Sequence, residues 1–339
     1  MEKIDWDNLG FNVVETRSMY NARCRIGEEW KLGSLIPYGT IELSPAAGVL
    51  NYGQGCFEGT KAYRTVKDQV VLFRPEMNAK RMVMSTRRLC IPEMNQEFFL
   101  QAVEETIKDN IDYVPPYGKG SLYIRPIVWG TSPALGVKPV EEYTFMVFVS
   151  PVGPYFKGGI QPLNLKVSNE YHRAAPKGIG DAKAIGNYSA SLYPLTEAKN
   201  RGFDEVLYLD AKNEKFVEEV GSANLFALKG NTLKTPSLTG SILPGVTRDS
   251  IIALAKEKLG LEVLETNVTL SELYDADEVF CTGTAVIVTP VGSITGLDGK
   301  HKIADGKMGQ LTSKLRQLLT GIQRGDVSDE FGWLYPIKE

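Results

Sequence analysis

The sequence predicts a mixed α/β (α+β) fold with two domains. The chain has 339 residues, which is enough for two well-filled cores. Short apolar runs typical of strands alternate with amphipathic stretches typical of helices. Near the middle of the chain, the segment P-V-G-P-Y-F-K-G-G is rich enough in glycine and proline to link two domains. We therefore predict a small N-terminal α/β domain over 1–155, a linker over 156–170 and a large C-terminal domain over 171–339.

The N-terminal half is predicted to contain strands and two helices. Glycines and prolines break residues 1 to about 50 into short strand and loop segments, in which no chemistry can be read. Two strands joined by a polar turn follow over 52–74. Asn78 is predicted to cap a helix that Pro92 closes, and a second amphipathic helix follows over about 97–110. A strand, a loop and another strand complete this half: 121–130, 132–139 and 143–149.

The C-terminal half alternates helices and strands. A helical pattern after the middle of the chain ends at Gly202, as a helix with a glycine C-cap would. A strand over 204–210 and a turn lead to a returning strand that carries Glu219. Thr247 is predicted as the N-cap of the amphipathic helix that follows. That helix, a pair of strands around a G-T-A turn, and a last amphipathic helix span 243–260, 277–291 and about 308–322.

Composition argues against several classes of function. Hydrophobic residues make up 43% and charged residues 23% of the chain, as in an ordinary globular protein. A net charge of -3 gives no electrostatic reason to bind nucleic acid or an acidic membrane. No apolar run approaches the roughly 18 residues that cross a bilayer, and the start M-E-K-I-D-W-D is too polar for a signal or transit peptide. We expect a cytoplasmic protein whose partners are small molecules, not nucleic acid or membrane.

Cysteine and histidine are too sparse for a metal centre. The four cysteines lie far apart and form no C-x-x-C pair, so neither a disulfide framework nor a zinc site is expected. With only His172 and His301, the chain cannot build a multi-histidine site, and a Ser-His-Asp triad would have to use one of these two. We therefore predict no metal, and hydrolase or metalloenzyme functions are disfavoured.

The stretch over 173–226 carries three side chains that suit one chemistry. Lys183 follows a glycine-rich approach, Tyr188 comes five residues later and Glu219 ends a short strand. A lysine can form an imine with an aldehyde cofactor, a phenol can hydrogen-bond the cofactor's ring oxygen, and a carboxylate can keep the ring nitrogen protonated. A lone lysine is usually a solvated surface residue, but three glycines crowd this one, as where a backbone approaches a ligand closely. The combination indicates pyridoxal phosphate chemistry.

With R-A-A-P-K-G-I-G-D-A-K-A-I-G-N-Y and the later V-E-E-V-G-S-A-N-L-F, this stretch resembles the branched-chain amino acid aminotransferases. These belong to the fold type IV pyridoxal phosphate enzymes, and the resemblance runs from about Asn51 to the C-terminus. It implies a two-domain fold with the cofactor at the domain interface. It also implies transamination of L-leucine, L-isoleucine and L-valine with 2-oxoglutarate, giving 2-oxo acids and L-glutamate by a ping-pong mechanism. Lys183 would be the Schiff-base lysine and the proton shuttle.

The resemblance also implies the residues that bind the cofactor. Spacing alone predicts that Arg81 in N-A-K-R-M is a solvated helix arginine and that the helix start near Thr247 is an ordinary one. The family, however, has phosphate ligands at both positions. The pattern E-x-G-x-x-N selects Glu219 over Glu218, since neighbours on a strand point to opposite faces. The implied set is Arg81, Arg173, Lys183, Tyr188, Glu219, Ser222, Leu243, Gly245, Val246, Thr247 and Thr284.

The implied substrate residues come from several motifs. The family pattern Y-x-x-x-x-F-E-G supplies Tyr52 and Phe57, and the G-T-A turn supplies Thr284 and Ala285. Tyr123 and Arg125 share one face of a strand, because side chains two residues apart point the same way. On sequence alone, Arg125 is either an edge residue or a receptor for a carboxylate. In the family, the Y-x-R residues line the substrate pocket. Leu135 and Val137, otherwise local packing residues, are implied to reach a neighbouring subunit's pocket, which predicts a homodimer or a higher homo-oligomer. The implied set is Tyr52, Phe57, Tyr123, Arg125, Tyr155, Thr284, Ala285, Leu135 and Val137.

Three alternatives stay open at the level of sequence. A D-amino acid aminotransferase and an aminodeoxychorismate lyase would share the lysine, the glutamate and the phosphate-binding arginine, but the Y-x-R strand, the G-T-A turn and the longer chain argue against both. From a different class, a non-catalytic homologue could bind pyridoxal phosphate or a metabolite as a sensor. Every carried-over position is intact, which favours the enzyme.

Overall fold

The computed structural model describes residues 4–153 and 159–338. The chain divides into two compact units. The first, here called the lysine unit, comprises Met1–Lys157, Ala182–Ile185 and Gly321–Glu339. The second, here called the acid unit, comprises Gly158–Asp181 and Gly186–Thr320. Two short pieces of chain therefore return to the lysine unit, and one of them carries Lys183.

The strands and helices follow the alternation that the sequence predicts. The strands are β1 (Ser18–Arg25), β2 (Ser34–Pro37), β3 (Gly55–Phe57), β4 (Thr60–Arg64), β5 (Val70–Phe73), β6 (Ser121–Gly130), β7 (Glu142–Val152), β8 (Leu163–Val167), β9 (Glu205–Leu209), β10 (Val217–Val220), β11 (Ala223–Lys229), β12 (Thr232–Pro236), β13 (Glu262–Thr266), β14 (Glu278–Gly283), β15 (Ile287–Gly296), β16 (Gly299–Lys302) and β17 (Leu334–Pro336). The helices are α1 (Gly48–Tyr52), α2 (Pro75–Arg88), α3 (Gln96–Asp109), α4 (Ile185–Ser189), α5 (Leu192–Asn200), α6 (Val246–Ala253), α7 (Leu270–Tyr274) and α8 (Gln310–Arg324).

The lysine unit is built on an eight-stranded sheet with the order β17-β5-β4-β6-β7-β1-β2, in which β3 also pairs with β6. All of these pairs are antiparallel. Helix α3 packs its apolar face on the sheet: the ring of Phe98 lies 5.6 Å from that of Phe145 and 6.3 Å from that of Tyr20. Asn95 begins α3, because its side chain accepts a hydrogen bond of 2.7 Å from the Phe98 backbone N–H.

Helix α2 begins earlier than the sequence predicts. It starts at Pro75, after Arg74 in a left-handed conformation, so Asn78 is not its cap. Proline suits a first helical position because its missing N–H would have no partner there. Asn78 lies one turn inside the helix and is buried, and its amide donates to the Glu58 carboxylate instead.

The acid unit is built on a nine-stranded mixed sheet with the order β10-β9-β8-β15-β14-β11-β12-β13, in which β16 also pairs with β15. A further pairing of β10 with β11 closes six of these strands into a ring. The core contains the stacked rings of Phe226 and Phe280, whose centroids are 5.1 Å apart. Strand β8 lies inside the range 156–170 for which the sequence predicts a linker. The closing β10–β11 pair matters for the site because it carries Glu219.

Together the two units confirm the predicted mixed α/β class. Within residues 4–153 and 159–338, none of the helices combines the length and the apolar character that crossing a bilayer requires.

Candidate active site

Lys183 is held in the lysine unit by its own backbone. Its carbonyl accepts a hydrogen bond of 3.1 Å from the backbone N–H of Phe57, at the end of β3. Its backbone N–H donates a bond of 3.0 Å to Oγ of Ser85, on α2. Next to it, Ala184 forms a β-bridge with Cys56. The backbone of Lys183 is therefore positioned by both a strand and a helix of the lysine unit, although the chain before 182 and after 185 belongs to the acid unit.

The amine of Lys183 lies among aromatic and charged groups. Its Nζ is 4.9 Å from the centre of the Phe57 ring. Burial, and then the nearby Arg81, lower the pKa of Lys183 to about 8, while Glu58 and Tyr123 oppose that shift. Compared with an ordinary lysine, this amine is neutral in a much larger fraction of molecules at physiological pH. A neutral amine is the form that can attack an aldehyde or take a proton from carbon.

Arg81 is buried, so it is not the solvated helix arginine that its spacing alone suggests. It is 6% exposed and forms a two-point ion pair with Glu58, with 2.7 Å between Nε and Oε1 and 2.8 Å between Nη2 and Oε2. Glu58 is completely buried. Desolvation would raise the pKa of this carboxyl, but the charge and hydrogen bonds of Arg81 hold it below its usual value. Sequence reasoning missed Glu58, although the F-E-G motif contains it.

The two residues of the Y-x-R motif contact each other beside Phe57, the aromatic neighbour of Lys183. Nη2 of Arg125 donates a hydrogen bond of 3.0 Å to the hydroxyl of Tyr123. The Arg125 guanidinium also lies 4.7 Å from the centre of the Phe57 ring and 5.2 Å from that of Tyr123. Gly59 permits this arrangement, because a Cβ there would lie 2.3 Å from the Tyr123 hydroxyl. The two-residue period thus brings Tyr123 and Arg125 to one face.

An additional aromatic residue, Phe11, joins this group from the N-terminal segment. Its ring packs edge to face on Tyr123 at 5.4 Å, and Nζ of Lys61 lies 5.9 Å from the Phe11 ring. Sequence reasoning assigned no chemistry to residues 1 to about 50, and no local motif marks Phe11. Its place is visible only because the segment packs on β6.

The remaining predicted residues of the lysine unit lie farther out. The Tyr52 hydroxyl donates to the Leu135 carbonyl. The side chains of Leu135 and Val137 are 91% and 87% exposed. These two apolar side chains therefore make little contact within their own chain. Tyr155 lies outside the described residues.

In the acid unit, Glu219 is held by several donors at once. It is 1% exposed on β10 and forms an ion pair with Arg173. Its Oε1 accepts a bond of 3.1 Å from the Asn224 amide, and its Oε2 accepts one of 3.3 Å from the Leu243 backbone N–H. The E-x-G-x-x-N pattern is thus a tight β10–β11 hairpin in which Glu219 and Asn224 are register partners.

Glu218, the neighbour of Glu219, is buried as well. The expectation that only one of the two carboxylates faces inward is wrong, because they are 5% and 1% exposed. Glu218 accepts a hydrogen bond from the Ser241 hydroxyl on the opposite face of β10. Desolvation raises the pKa of Glu218. Both carboxylates are covered by the segment over 241–243, which binds Glu218 through Ser241 and Glu219 through the Leu243 backbone.

The start of α6 is built around a glycine. Its N-cap is Gly245, not Thr247 as the sequence predicts, and the helix begins at Val246. A Cβ at Gly245 would lie 2.0 Å from Oδ1 of Asn224, so this position requires glycine. Val246 and Thr247 are both buried in the first turn. A glycine-led helix start presents backbone N–H groups and the positive end of the helix dipole to an anion.

The G-T-A turn joins β14 to β15 and holds Thr284 and Ala285, both partly buried. Arg316 from α8 fixes this turn, since its Nη1 donates to the carbonyls of Val286 and Val288 at 3.3 and 2.7 Å. Tyr188 lies partly buried on α4, and Ser222 is exposed in the β10–β11 turn.

The predicted site residues thus fall into two groups, one in each unit. The lysine unit holds Tyr52, Phe57, Arg81, Tyr123, Arg125, Leu135, Val137 and Lys183. The acid unit holds Arg173, Tyr188, Glu219, Ser222, Leu243, Gly245, Val246, Thr247, Thr284 and Ala285.

Known proteins resemble this chain over most of its length. The family model described as amino-transferase class IV matches residues 55–294. The chain is 50% identical over 330 residues to branched-chain amino acid aminotransferase 2, chloroplastic, of Humulus lupulus, covering 97% of this chain and 81% of that protein. It is 49% identical over 337 residues to branched-chain-amino-acid aminotransferase 1, mitochondrial, of Arabidopsis thaliana, covering 98% and 86%.

A solved structure is similar over almost the whole chain. It is the branched-chain amino acid aminotransferase of T.th. complexed with N-(5'-phosphopyridoxyl)-L-glutamate, with a TM-score of 0.81 and 32% identity, covering 96% of this chain and 100% of that one.

The comparisons also correct one prediction. The expectation of a cytoplasmic protein is wrong, because relatives 49% and 50% identical over nearly the whole chain are named as mitochondrial and chloroplastic proteins.

Proposed function

The chain belongs to the class IV aminotransferases, which use pyridoxal phosphate, and from this premise we propose that it transfers amino groups between branched-chain amino acids and 2-oxoglutarate. The observation that carries the proposal is Lys183. Its backbone is fixed by two hydrogen bonds, and burial lowers the pKa of its amine to about 8. Such an amine is suited to react with an aldehyde and to move protons.

The chemistry of the residues fits the cofactor. Lys183 supplies the amine, and Arg81 supplies a buried cation for a phosphate group. Nε of Arg125 and Nε of Arg173 are both buried and have no hydrogen-bond acceptor among the described residues. Buried donors of this kind are costly unless a ligand or a water accepts from them. The set is therefore equipped for an anionic, acceptor-rich ligand.

Each unit is proposed to contribute to cofactor binding. Arg81 and the first turn of α6, with Gly245, Val246 and Thr247, would hold the phosphate. Glu219 would face the ring nitrogen, and Tyr188 would donate to the ring oxygen. Arg173 supports the Glu219 carboxylate through their ion pair. The proposed set of cofactor-binding residues also includes Ser222, Leu243, Thr284 and Lys183.

The chain's own residues then move one proton. When bound, pyridoxal phosphate supplies an electron sink for the charge that develops on the substrate's Cα. Nζ of Lys183 takes the proton from that Cα and later returns one. Asn224 and the Leu243 backbone hold Glu219 in a single orientation while this happens. The Phe57 ring, whose centre lies 4.9 Å from the amine, would limit the access of water to it.

The substrate pocket must accept an apolar side chain and a carboxylate in turn. Phe57, Tyr52 and Phe11 are proposed to form the apolar wall for leucine, isoleucine and valine. Arg125 and the Tyr123 hydroxyl, already hydrogen-bonded to each other, would receive the distal carboxylate of glutamate or 2-oxoglutarate. The similar T.th. enzyme was solved with a phosphopyridoxyl-glutamate ligand, which supports glutamate as one partner.

We also propose that the chain acts as a homodimer or a larger homo-oligomer. The exposed Leu135 and Val137 would be covered by a second copy, as an exposed pair of apolar side chains on one loop favours. Thr284 and Ala285 are proposed to hold the substrate's α-carboxylate from the turn that Arg316 fixes.

An absorbance experiment tests the proposed function. The purified, cofactor-loaded protein is scanned before and after addition of L-leucine, and we expect the cofactor band to shift and then return when 2-oxoglutarate is added. D-alanine and aminodeoxychorismate serve as matched controls and should leave the spectrum unchanged. A spectrum that responds to D-alanine but not to L-leucine would overturn the choice of substrate, and one that responds to no amino acid would favour a sensor.

A further inference from the structure

Glu58 is a fully buried carboxylate to which the proposed chemistry gives no role. It follows Phe57, whose backbone holds Lys183 and whose ring lies 4.9 Å from the Lys183 amine. Both of its oxygens accept from Arg81, at 2.7 and 2.8 Å, and Oε2 also accepts from the Asn78 amide at 2.8 Å. A carboxylate thus follows directly after the residue whose backbone holds Lys183, and it is fixed at both oxygens.

We propose that Glu58 is a positioning residue, the counter-charge of the lysine site: it orients the Arg81 guanidinium and balances that positive charge beside the Lys183 amine. This inference rests on the proposed function, since it concerns the residues that would hold the cofactor. Glu58 itself touches neither substrate nor cofactor in this scheme. It acts through Arg81 and Lys183.

The geometry of the pair favours orientation over stability. Two parallel N–H···O bonds fix the plane of a guanidinium, which a single contact would leave free to rotate. Yet a buried ion pair contributes little net stability, because removing both charges from water offsets their attraction. Replacing such a pair with apolar side chains is often neutral or stabilising. A fold has little reason to bury this pair unless the charges serve the lysine.

Among the described residues, the charged and titratable groups that act on Lys183 come from three elements. Arg81 lies on α2, Tyr123 and Arg125 lie on β6, and Glu58 follows β3. Burial lowers the pKa of Lys183 most, the two guanidinium groups lower it further, and the Glu58 carboxylate and Tyr123 raise it. Without the carboxylate, the amine would lose its proton more readily and would be held less firmly as a cation.

Helix α2 allows this effect to be separated from folding. Asn78, Arg81 and Ser85 recur at three- and four-residue spacing, so one face of α2 carries all three. Ser85 binds the Lys183 backbone, while Asn78 and Arg81 bind Glu58. The anchor of the Lys183 backbone therefore does not depend on Glu58. A substitution of Glu58 can change the charge around the amine while the lysine stays in place.

The test measures the proton affinity of Lys183 directly. The full-length protein, freed of cofactor, is labelled with acetic anhydride from pH 6 to pH 11, and the labelling of Lys183 is quantified by mass spectrometry. We expect Glu58→Gln to raise the labelling rate at pH 7 about fivefold, the increase in neutral amine that follows when a pKa of about 8 falls by about one unit on loss of a nearby opposite charge. The rate at pH 11, where the amine is neutral in every variant, should not change.

Three further variants test the direction of the change in the labelling rate of Lys183. Arg81→Gln should slow labelling at pH 7, and the double variant Glu58→Gln/Arg81→Gln should fall between the two single variants. Asn78→Ala, which keeps the carboxylate, should label like the parent. A purely structural role for Glu58 would alter labelling at pH 7 and pH 11 alike and would not give opposite signs for the two partners.

An unchanged labelling rate would overturn the proposal. If Glu58→Gln labels at pH 7 at the parental rate or more slowly, Glu58 does not balance the charge at Lys183. If Glu58→Gln does not fold, the double variant is compared with Arg81→Gln, and equal rates in those two would have the same meaning. Since labelling needs neither cofactor nor substrate, this failure is distinct from a protein whose spectrum ignores L-leucine.

Discussion

The two units hold their ionisable groups in opposite ways. In the lysine unit, the backbone of Lys183 is fixed but the residue as a whole is only partly buried, and the pKa of its amine is lowered to about 8. In the acid unit, Glu219 is 1% exposed and is held by Arg173, Asn224 and the Leu243 backbone. One unit presents a group that can change its proton, and the other presents a charge that cannot reorient.

This difference follows from the folds. A strand edge and a helix face hold the main chain of Lys183, and the side chain that extends from it is a long, flexible stem. In the acid unit, the segment over 241–243 contacts both carboxylates of β10, through the Ser241 hydroxyl and the Leu243 backbone, and Glu218 and Glu219 are both buried. A preorganised charge stabilises a developing charge without reorganisation, whereas a proton shuttle must move.

The strongest test of the comparison is removal of the moving group. Lys183→Ala should abolish transamination, a loss of at least the roughly 10²- to 10⁴-fold that a positioned proton-transfer group contributes. It should also remove the absorbance of the cofactor bound through the lysine. The fold should survive, because the bonds to Phe57 and Ser85 use the backbone of residue 183.

The matched control is Lys80→Ala, since Lys80 is an exposed lysine on α2. Its steady-state rate should equal that of the parent, and circular dichroism should show both variants folded. Turnover by folded Lys183→Ala would refute the assignment of the moving group.

Removal of the Glu219 charge should give the next largest loss of rate. Glu219→Gln should leave the cofactor bound and slow the proton shift by roughly 10²- to 10³-fold, as the loss of one electrostatic stabiliser does. Single-turnover kinetics with L-leucine would measure it. The matched control is Glu218→Gln, which changes the neighbouring carboxylate on the other face of β10 and should keep the parental rate. Equal losses in both variants would indicate a general effect of the strand, not of the Glu219 charge.

The same contrast between local and distant contacts explains what the sequence could predict. Most strands and helices, Lys183 and the Y-x-R pair are local patterns, and the structure places Tyr123 and Arg125 together. Glu58 has no local signal because its partner Arg81 is 23 positions away. Phe11 is farther still from Tyr123, and no spacing rule links them.

Two helix starts show how tertiary contacts override a local preference. Asparagine and threonine are favoured N-caps, so the sequence predicts that Asn78 and Thr247 begin α2 and α6. Both lie inside their helices instead. The amide of Asn78 binds Glu58, and the close approach of Asn224 requires glycine at the start of α6. Neither contact can be read from the residues adjacent to the helix.

The smallest effect concerns pH and sharpens the comparison on the lysine side. Because the pKa of Lys183 is lowered to about 8, its neutral fraction rises about tenfold per pH unit below that value and levels off above it. The rate at which cofactor-free protein captures pyridoxal phosphate should follow this curve. Dividing by the rate for free N-acetyl-lysine in the same buffer cancels the titration of the cofactor itself.

The divided rate then reports Lys183 alone. An ordinary lysine would give a ratio that is constant over the whole pH range, since both amines would titrate together. For Lys183 we expect the ratio to be constant below about pH 8 and to fall above it. Above that pH the protein amine is already neutral, while the neutral fraction of the free amine still rises. A ratio without that break would mean that burial does not prepare the amine, and the contrast with Glu219 would lose its basis.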